Sequence, residues 1–476
     1  TEIQLRVAKN WLEGEGMVYE WDGAGNICDT EKLPLTNMMP GYVWAVSAVY
    51  LLTGDWLWAN FWLDVAAIWA ILLSMRAVLL LLSPTSGLVE GVVWVFLTFS
   101  PAPFHYMASS DLLAWAFFSG MCYAFLTGTQ RHNYWWLIGC CLLSLLAAVT
   151  RYAYVPLMIL PVLFGSLVYR GEVLPRKTWQ LLGILQIIGI TGVILLKNSL
   201  TDTVNYLAQG EAAWEFSHLL WTDPFPAKTF LYMGIPHLVG ISAFHPFLPY
   251  LIQFFCWIGS FWLVWVMWNH KKKSRAVNFH VWVDMGVATA LAVWMMLAYA
   301  SLMEVAQTWN LISFWTYVME TRYYAPAMLF VLVSLGVVLK EGRGVGKKSI
   351  TVGLVALTLA YLLLFIYQRN EIYGKDKQHI SFMHQDKSSI LHEIEKLGLQ
   401  EPQVYVLSDV GAYIYALSEG IPISTSSLVE VQDCEGVVVW YQADHVIISH
   451  EWQESFSTSQ HIQLDRGKLW VKRLNR

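Results

Sequence analysis

Apolar segments long enough to cross a lipid bilayer recur along most of this 476-residue chain. An α-helix needs roughly 20 apolar residues to cross a hydrocarbon core of about 30 Å. Hydrophobic residues make up 56% of the sequence and charged residues only 14%, too little charge for the surface of a soluble globular protein. We therefore predict an all-α, polytopic membrane bundle of about ten transmembrane helices. The spans are expected at 56–82, 87–101, 107–127, 134–150, 152–169, 179–196, 246–269, 281–302, 322–340 and 349–368.

Lysine and arginine residues between the predicted spans indicate how the chain is oriented. Loops rich in these residues stay in the cytoplasm. Such loops are found at Arg131, at 170–177, at 271–275 and at 340–348, and we expect them to be cytoplasmic. The opposite, extracytoplasmic side then receives 1–55, 102–110, 197–245, 303–321 and everything after 369. One more span ahead of Thr1 would bring the total to about eleven and would carry a cytoplasmic N-terminus to the outer side.

Three regions of the chain differ in composition. Residues 1–55 are expected to form a first extracytoplasmic loop with short interfacial helices, one near 3–12 and one near 42–52. Residues 56–368 form the bundle, in which the extracytoplasmic loop 197–245 is expected to act as a lid or substrate loop. Residues 369–476 have the composition of a small, soluble, extracytoplasmic α/β domain. Its expected elements are helices at 388–397 and 412–417 and strands at 403–407, 437–441, 445–449 and 461–464.

Four groups of ionisable residues lie at the outer ends of the predicted spans. The first contains Glu2 and Arg6, one helical turn apart, and a solvated loop position is the simpler interpretation of each charge. The second places His105 and Tyr106 ahead of Asp111. The carboxylate of Asp111 either faces a cavity near the membrane surface or caps the helix that begins there.

The other two groups contain arginine. Arg151 follows Thr150 between two apolar helices, and Arg322 precedes Tyr323 at the mouth of a late span. An arginine at the end of a span often extends to the membrane interface, and this interpretation stays open for both. Two guanidinium groups on the same side as the carboxylates would also suit a phosphate group, because guanidinium can donate two parallel hydrogen bonds to phosphate oxygens.

Other kinds of site find little support in the sequence. The chain lacks the basic stripe of a nucleic-acid-binding protein, so nucleic acid is not an expected partner. No metal-ligand spacing of any strength and no repeat is present. The glycine-rich run at 342–349 resembles a phosphate-binding loop only superficially, because its spacing is wrong and no strand precedes it.

Several short motifs carry a resemblance to a known family. The segment AKNWLEGEG at 8–16 is followed by a Pro-Gly-Tyr turn at 40–42, a proline and a histidine precede Asp111, and RYYAP at 322–326 opens another span. With these motifs the chain resembles the GT-C superfamily of integral-membrane glycosyltransferases, in particular the bacterial relatives of protein O-mannosyltransferases and of the aminoarabinose transferase of lipid A. Those enzymes take a sugar from a polyprenyl-phosphate carrier.

The resemblance implies an activity and a location. The activity is transfer of a hexose or pentose from a polyprenyl-phosphate donor to a lipid, glycan or protein acceptor, by a single displacement that inverts the anomeric carbon. The location is a bacterial inner (plasma) membrane, where the multi-pass protein is surrounded by membrane lipids and its active site faces the periplasm or exterior.

Carried over residue by residue, the resemblance also implies roles for individual side chains. In an alignment on Ala8 and Gly14, the family's leading catalytic Asp falls one position before Thr1, so either the base is missing from this sequence or Glu2 has taken its role. The catalytic residues would then be Glu2 and Asp111, with Asp111 positioning the acceptor or binding a divalent metal, which remains possible as a cofactor. The expected ligands of the lipid phosphate are Arg151, Arg322 and Tyr323, and the residues expected to position donor or acceptor are His105, Tyr106 and Tyr42.

Functions of other classes remain as alternatives. A lipid or polysaccharide transporter or flippase would be expected to show inverted repeats and polar residues at the bilayer midplane, whereas the charged candidates here gather on one face. A non-catalytic subunit of a membrane complex is favoured if Glu2 proves peripheral. Polysaccharide polymerases or ligases share the topology and are the nearest enzymatic alternative.

Overall fold

The computed structural model of the protein is mostly helical in the parts of the chain that it describes. The described residues are 2–22, 30–34, 39–83, 109–168, 175–201, 264–272, 274, 277–308, 325–341, 385–399, 404–407, 423–424, 436–443 and 460–474. The helices are α1 (Glu2–Leu12), α2 (Gly41–Thr53), α3 (Trp56–Leu82), α4 (Ser109–Arg131), α5 (Tyr134–Thr150), α6 (Leu160–Val168), α7 (Arg176–Thr201), α8 (Val277–Thr308), α9 (Ala325–Glu341) and α10 (Lys387–Gly398). The strands are β1 (Val18–Asp22), β2 (Thr30–Pro34), β3 (Val404–Leu407), β4 (Ile423–Ser424), β5 (Gly436–Ala443), β6 (Gln460–Gln463) and β7 (Gly467–Leu474).

The chain divides into two compact units. The first comprises Thr1–Asn37, Val43–Leu63 and Leu364–Arg476, and the second comprises Met38–Tyr42 and Asp64–Leu363. Helix α1, the hairpin of β1 and β2 and the C-terminal sheet belong to the first unit. Most of the long apolar helices belong to the second.

Helix α4 is the buried centre of the second unit. Its sequence is largely apolar on all sides, and a helix with that pattern is expected to be surrounded by protein. The side chains of Trp115, Phe118 and Phe125 are at most 1% exposed. Residues of α3, α5, α8 and α9 pack around them in one continuous apolar core.

Helix α3 lies at the periphery of the bundle. Only one stripe of it is buried, formed by Ala67, Ile71 and Met75 at four-residue spacing. Its other side exposes Trp69 and Leu73, and α7 has the same division between a buried and an exposed face. Outward-facing apolar side chains of this kind are expected where a helix meets lipid tails.

Three described helices are long and apolar enough to cross a membrane, namely Trp58–Leu82, Ser110–Arg131 and Arg176–Leu196. Shorter apolar helices cover Gly41–Thr53, Tyr134–Thr150, Tyr154–Val168, Val277–Val293 and Pro326–Val338. The expected spans at 87–101 and 349–368, and most of the one at 246–269, lie outside the described residues, although 264–272 are helical. The total of about ten spans therefore stays a prediction.

The segment expected as one span at 152–169 is divided. A 3₁₀ helix, Tyr152–Ile159, comes first, and α6 follows it. Pro156 lies inside the 3₁₀ helix, and proline cannot continue an α-helix there because it lacks the backbone N–H and its ring clashes with the preceding turn. Helix α5 ends before this segment, at Thr150, and Arg151 adopts an extended conformation with φ −145° and ψ 120°.

The C-terminal part of the chain contains a mixed sheet in the order β4-β3-β5-β7-β6. Strands β3, β4 and β5 are parallel, whereas β7 pairs antiparallel with both β5 and β6. Helix α10 immediately precedes β3 in sequence. The sheet and helix thus form the α/β arrangement that the composition predicted.

Some elements of the first unit were not predicted. Strand β7 alternates lysine and arginine with apolar residues, and its central pairing with β5 and β6 cannot be recognised from a half-polar sequence. The hairpin of β1 and β2 was also missed, because its strands are rich in acidic residues and lysine. The expected helix at 412–417 and strand at 445–449 lie outside the described residues.

A buried carboxylate fastens α10 to the sheet. Asp386, just ahead of α10, is 1% exposed. One of its oxygens accepts a hydrogen bond from the Tyr441 hydroxyl at 3.0 Å, and the backbone N–H of Arg466 lies 3.1 and 3.0 Å from the two oxygens. Three parts of the domain therefore depend on one side chain, because a buried charge is tolerated only where it is hydrogen-bonded.

Replacing Asp386 with alanine should loosen this domain. The change removes the acceptor that the buried Tyr441 hydroxyl and the Arg466 N–H share, at a cost of about 3 kcal/mol. Hydrogen exchange of the full-length protein should then show faster exchange in β5 and β7. The exposed Glu395 on the same helix gives the control Glu395→Ala, and equal protection in both variants would contradict this role for Asp386.

Candidate active site

Asp111 lies in the first turn of α4, at the end of the bundle's central helix. A carboxylate at that position is favoured by the positive end of the helix dipole. The residue is nevertheless only 5% exposed, so its charge needs a partner inside the protein. The sequence left open whether this carboxylate faces a cavity or caps its helix.

The partner is Arg151, at the end of the neighbouring helix α5. Its Nε lies 2.7 Å from Oδ1 of Asp111, and the side chains of Arg151 and Asp111 are 10% and 7% exposed. The extended conformation of Arg151 takes its side chain out of the helical row, while its backbone N–H still bonds to Ala147 at 2.9 Å. Two residues that the sequence indicated separately are therefore brought together in one buried ion pair.

A tyrosine that the sequence did not indicate adjoins this pair. Tyr154 is 5% exposed and lies close enough to Asp111 and Arg151 to interact electrostatically with both. It follows Arg151 by one turn of the 3₁₀ helix, and its backbone N–H donates to the Arg151 carbonyl at 2.9 Å. The signal available in the sequence was the three-residue spacing between Arg151 and Tyr154, just ahead of Pro156.

Aromatic rings close the inner side of the pair. Phe118, two turns after Asp111 on α4, meets Tyr154 edge to face with ring centroids 5.6 Å apart. Phe330 of α9 lies 6.1 Å from Phe118 and 4.4 Å from Trp282 of α8. This apolar wall keeps water from the inner side of the charges, and electrostatic interactions are stronger in such surroundings than in water.

The turn at residues 39–42 docks against the end of α5. A Cβ built on Gly41 would lie 2.8 Å from the Val149 carbonyl oxygen and 2.9 Å from both the backbone nitrogen and the hydroxyl of Thr150. Met39 packs in a buried cluster with Ala148. The turn therefore rests on the peptide groups that immediately precede Arg151, and Tyr42, expected to position a substrate, is fully buried beside it.

The motif at 8–16 has a structural explanation in the first unit. Gly14 and Gly16 have φ of 85° and 93°, a backbone conformation in which glycine ends a helix readily. Asn10, 5% exposed, donates from its side chain to the Val18 carbonyl at 2.9 Å. These residues end α1 and direct the chain into the hairpin.

The remaining expected site residues are less fully described. The backbone of Glu2 begins α1, but its side chain is outside the described set. Arg322 and Tyr323, and likewise His105 and Tyr106, lie outside the described residues. Among those that the structure describes, no group of three or more His, Cys, Asp or Glu side chains could hold a metal ion.

No protein-family model matches the chain, and no curated protein matches it in sequence. Solved structures do match. The crystal structure of ArnT from Cupriavidus metallidurans bound to undecaprenyl phosphate aligns with a TM-score of 0.52 and 10% identity, over 98% of this chain and 92% of that chain. The fold of this chain is that of ArnT. At the level of the fold, this match confirms the resemblance drawn from the sequence motifs.

The apo crystal structure of the same ArnT also matches, with a TM-score of 0.47 and 10% identity, over 99% of this chain and 92% of that chain. An ArnT-like fold with several apolar helices makes this chain an integral membrane protein.

Breaking the ion pair should destabilise the bundle. Asp111→Asn or Arg151→Gln alone leaves one buried charge without compensation, which costs about 3–5 kcal/mol, whereas the double variant leaves none. Denaturant unfolding of the purified protein should show a smaller loss in the double variant than the sum of the two single losses.

The more exposed pair of Lys9 and Glu13, 3.9 Å apart, provides the control. Glu13→Gln should change stability by less than about 1 kcal/mol. Additive losses at Asp111 and Arg151 would show that the two side chains do not depend on each other.

Gly41→Ala should displace the turn from the end of α5. The added methyl group would overlap backbone atoms of Val149 and Thr150, which cannot rotate away as a side chain can, and we expect a loss of roughly 1–3 kcal/mol. Gly139, on α5 itself, has nothing within 4 Å of a built Cβ. Gly139→Ala is therefore the control, and equal thermal stability of the two variants would argue against the close docking.

Proposed function

We propose that this chain transfers a sugar from a polyprenyl-phosphate donor to an acceptor at the extracytoplasmic surface of a bacterial inner membrane. The observation that supports it most directly is the buried pair of Asp111 and Arg151 at the end of the central helix of an ArnT-like fold. The ArnT structure contains undecaprenyl phosphate, which makes a polyprenyl phosphate the first donor carrier to test here. The acceptor is a lipid, a glycan or a protein.

The proposed reaction is a single displacement. A carboxylate base takes the proton of the acceptor hydroxyl or amine, and the acceptor atom forms a bond to the anomeric carbon of the sugar. The bond from that carbon to the phosphate oxygen breaks, and its electron pair leaves with the polyprenyl phosphate. The anomeric configuration is inverted, because attack and departure occur on opposite faces. Glu2 is our candidate for the base.

In this proposal, Arg151 binds the phosphate of the donor and Asp111 orients the acceptor. The guanidinium of Arg151 presents several N–H donors in one plane, and its Nε lies 2.7 Å from Oδ1 of Asp111. A phosphate oxygen arriving at this group would compete with the carboxylate for the arginine. Asp111 would then turn toward the acceptor and orient it. Each charge thus keeps a partner before and after the donor binds.

The residues outside the described part of the structure complete the proposed site. Arg322 and Tyr323 are proposed as further ligands of the lipid phosphate, and His105 and Tyr106 as groups that position donor or acceptor. Tyr42 is proposed for the same positioning role, and its support is the docking of its turn beside Arg151.

The test is transfer from radiolabelled polyprenyl-phosphate sugars by the full chain in detergent, with a membrane lipid extract as acceptor source. We expect product with at least one donor, and a loss of roughly 100-fold or more in Asp111→Asn and in Arg322→Ala. Tyr123→Phe is the matched control, because Tyr123 lies in α4 against Trp136, away from the ion pair, with rings 5.5 Å apart. No product with any donor, from protein that unfolds cooperatively, would refute the proposal.

A further inference from the structure

The position of Tyr154 follows from the local geometry of the chain. Arg151 is extended and lies just ahead of the 3₁₀ helix, and the Tyr154 N–H donates to the Arg151 carbonyl at 2.9 Å to close the first turn. The side chains of both residues reach α4, where Arg151 meets Asp111 and Tyr154 meets Phe118.

The ring of Tyr154 packs against Phe118. Phe118 meets it edge to face at 5.6 Å, with an angle of 63° between the ring planes. Since Asp111 and Phe118 share one face of α4, the contacts form two levels, with the ion pair on one and the two rings on the other. Tyr154 lies on the aromatic level yet interacts electrostatically with both charges on the other.

The packing alone does not require a tyrosine here. Phenylalanine would make the same edge-to-face contact with Phe118 without placing a hydroxyl in an apolar bundle. Burying a hydroxyl has a desolvation cost, which a binding role would offset. The neighbouring charges indicate which role, because a phenol next to a guanidinium adds a second, neutral hydrogen-bond donor to the same place.

Two donors beside a carboxylate suit a particular ligand. A phosphate oxygen can accept hydrogen bonds from a guanidinium and a hydroxyl together, while the nearby carboxylate orients a group that carries a proton. We infer that Tyr154 belongs to the substrate site and donates its hydroxyl hydrogen to a phosphate oxygen of the lipid-linked donor, beside Arg151. This inference rests on the proposed function and adds to it a residue outside the sequence motifs.

The experiment compares ligand binding to the wild-type full chain with binding to Tyr154→Phe, which retains the ring and its contact with Phe118. The probes are undecaprenyl phosphate, undecaprenol, which lacks the phosphate, and inorganic phosphate. Binding is measured by the shift of thermal unfolding over a ligand titration. We expect Tyr154→Phe to weaken undecaprenyl phosphate binding about tenfold and to leave undecaprenol binding unchanged.

Tyr123→Phe is again the control and should bind all three probes as the wild type does. If Tyr154→Phe also weakened undecaprenol binding by the same factor, Tyr154 would contribute to binding of the polyprenyl chain and not of the phosphate. That result would overturn the inference. Unchanged binding of undecaprenyl phosphate would do the same. Inorganic phosphate that binds the wild type as tightly as the lipid would overturn the assignment to a lipid-linked ligand.

The outcome can be distinguished from a failure of the proposed function. Wild-type protein that binds undecaprenyl phosphate but transfers no sugar would contradict the enzyme and leave the binding role of Tyr154 intact. Wild-type protein that transfers sugar, with Tyr154→Phe unaltered in both binding and the KM for the donor, would retain the enzyme and remove Tyr154 from its site.

Discussion

The ion pair of Asp111 and Arg151 constrains the rest of the helical unit. Each charge would have a large desolvation cost if it were buried alone, so the first turn of α4 and the last turn of α5 must lie at the same level of the bundle. Helix α5 has to end at Thr150 for the arginine to reach its partner, and Pro156 disfavours an α-helix that runs on through the next segment. The local backbone and the buried charges therefore enforce the same break.

The break in turn determines what surrounds the charges. Because the chain continues as a 3₁₀ helix, Tyr154 follows Arg151 by one hydrogen-bonded turn, and its ring meets Phe118 of α4. Because α5 stops, the peptide groups of its last turn are accessible to the turn at Gly41, which approaches so closely that only a hydrogen fits in place of a side chain. The end of α5 therefore determines three features: the ion pair of Asp111 and Arg151, the position of Tyr154 and the docking of the turn at Gly41.

The sequence predicted the apolar helices more fully than the contacts among the candidate site residues. Apolar runs marked α3, α4, α5 and α7 because lipid contact leaves the clearest compositional signal. Asp111 and Arg151 were each indicated as charges at the ends of spans, but their pairing depends on how α4 and α5 pack, which spacing along the chain does not encode. The sequence did not single out Tyr154, because tyrosine is common in it and the contact of this ring with Phe118 of α4 is a tertiary one. Strand β7 was missed for a related reason, since its pairing with β5 is a tertiary contact.

In the proposed reaction, the contact that stabilises the bundle is also the one that substrate binding has to change. A phosphate group that engages Arg151 replaces the negative charge of Asp111 with its own, so the arginine is never left buried without a counter-charge. The carboxylate can leave the arginine only if the acceptor, or water at the mouth of the site, satisfies it in turn. Binding of the donor and orientation of the acceptor are therefore coupled through one ion pair. A variant with a stronger internal pair would be expected to gain stability and to bind the donor less tightly. The reason is that the Asp111 carboxylate and the donor phosphate compete for the same guanidinium of Arg151.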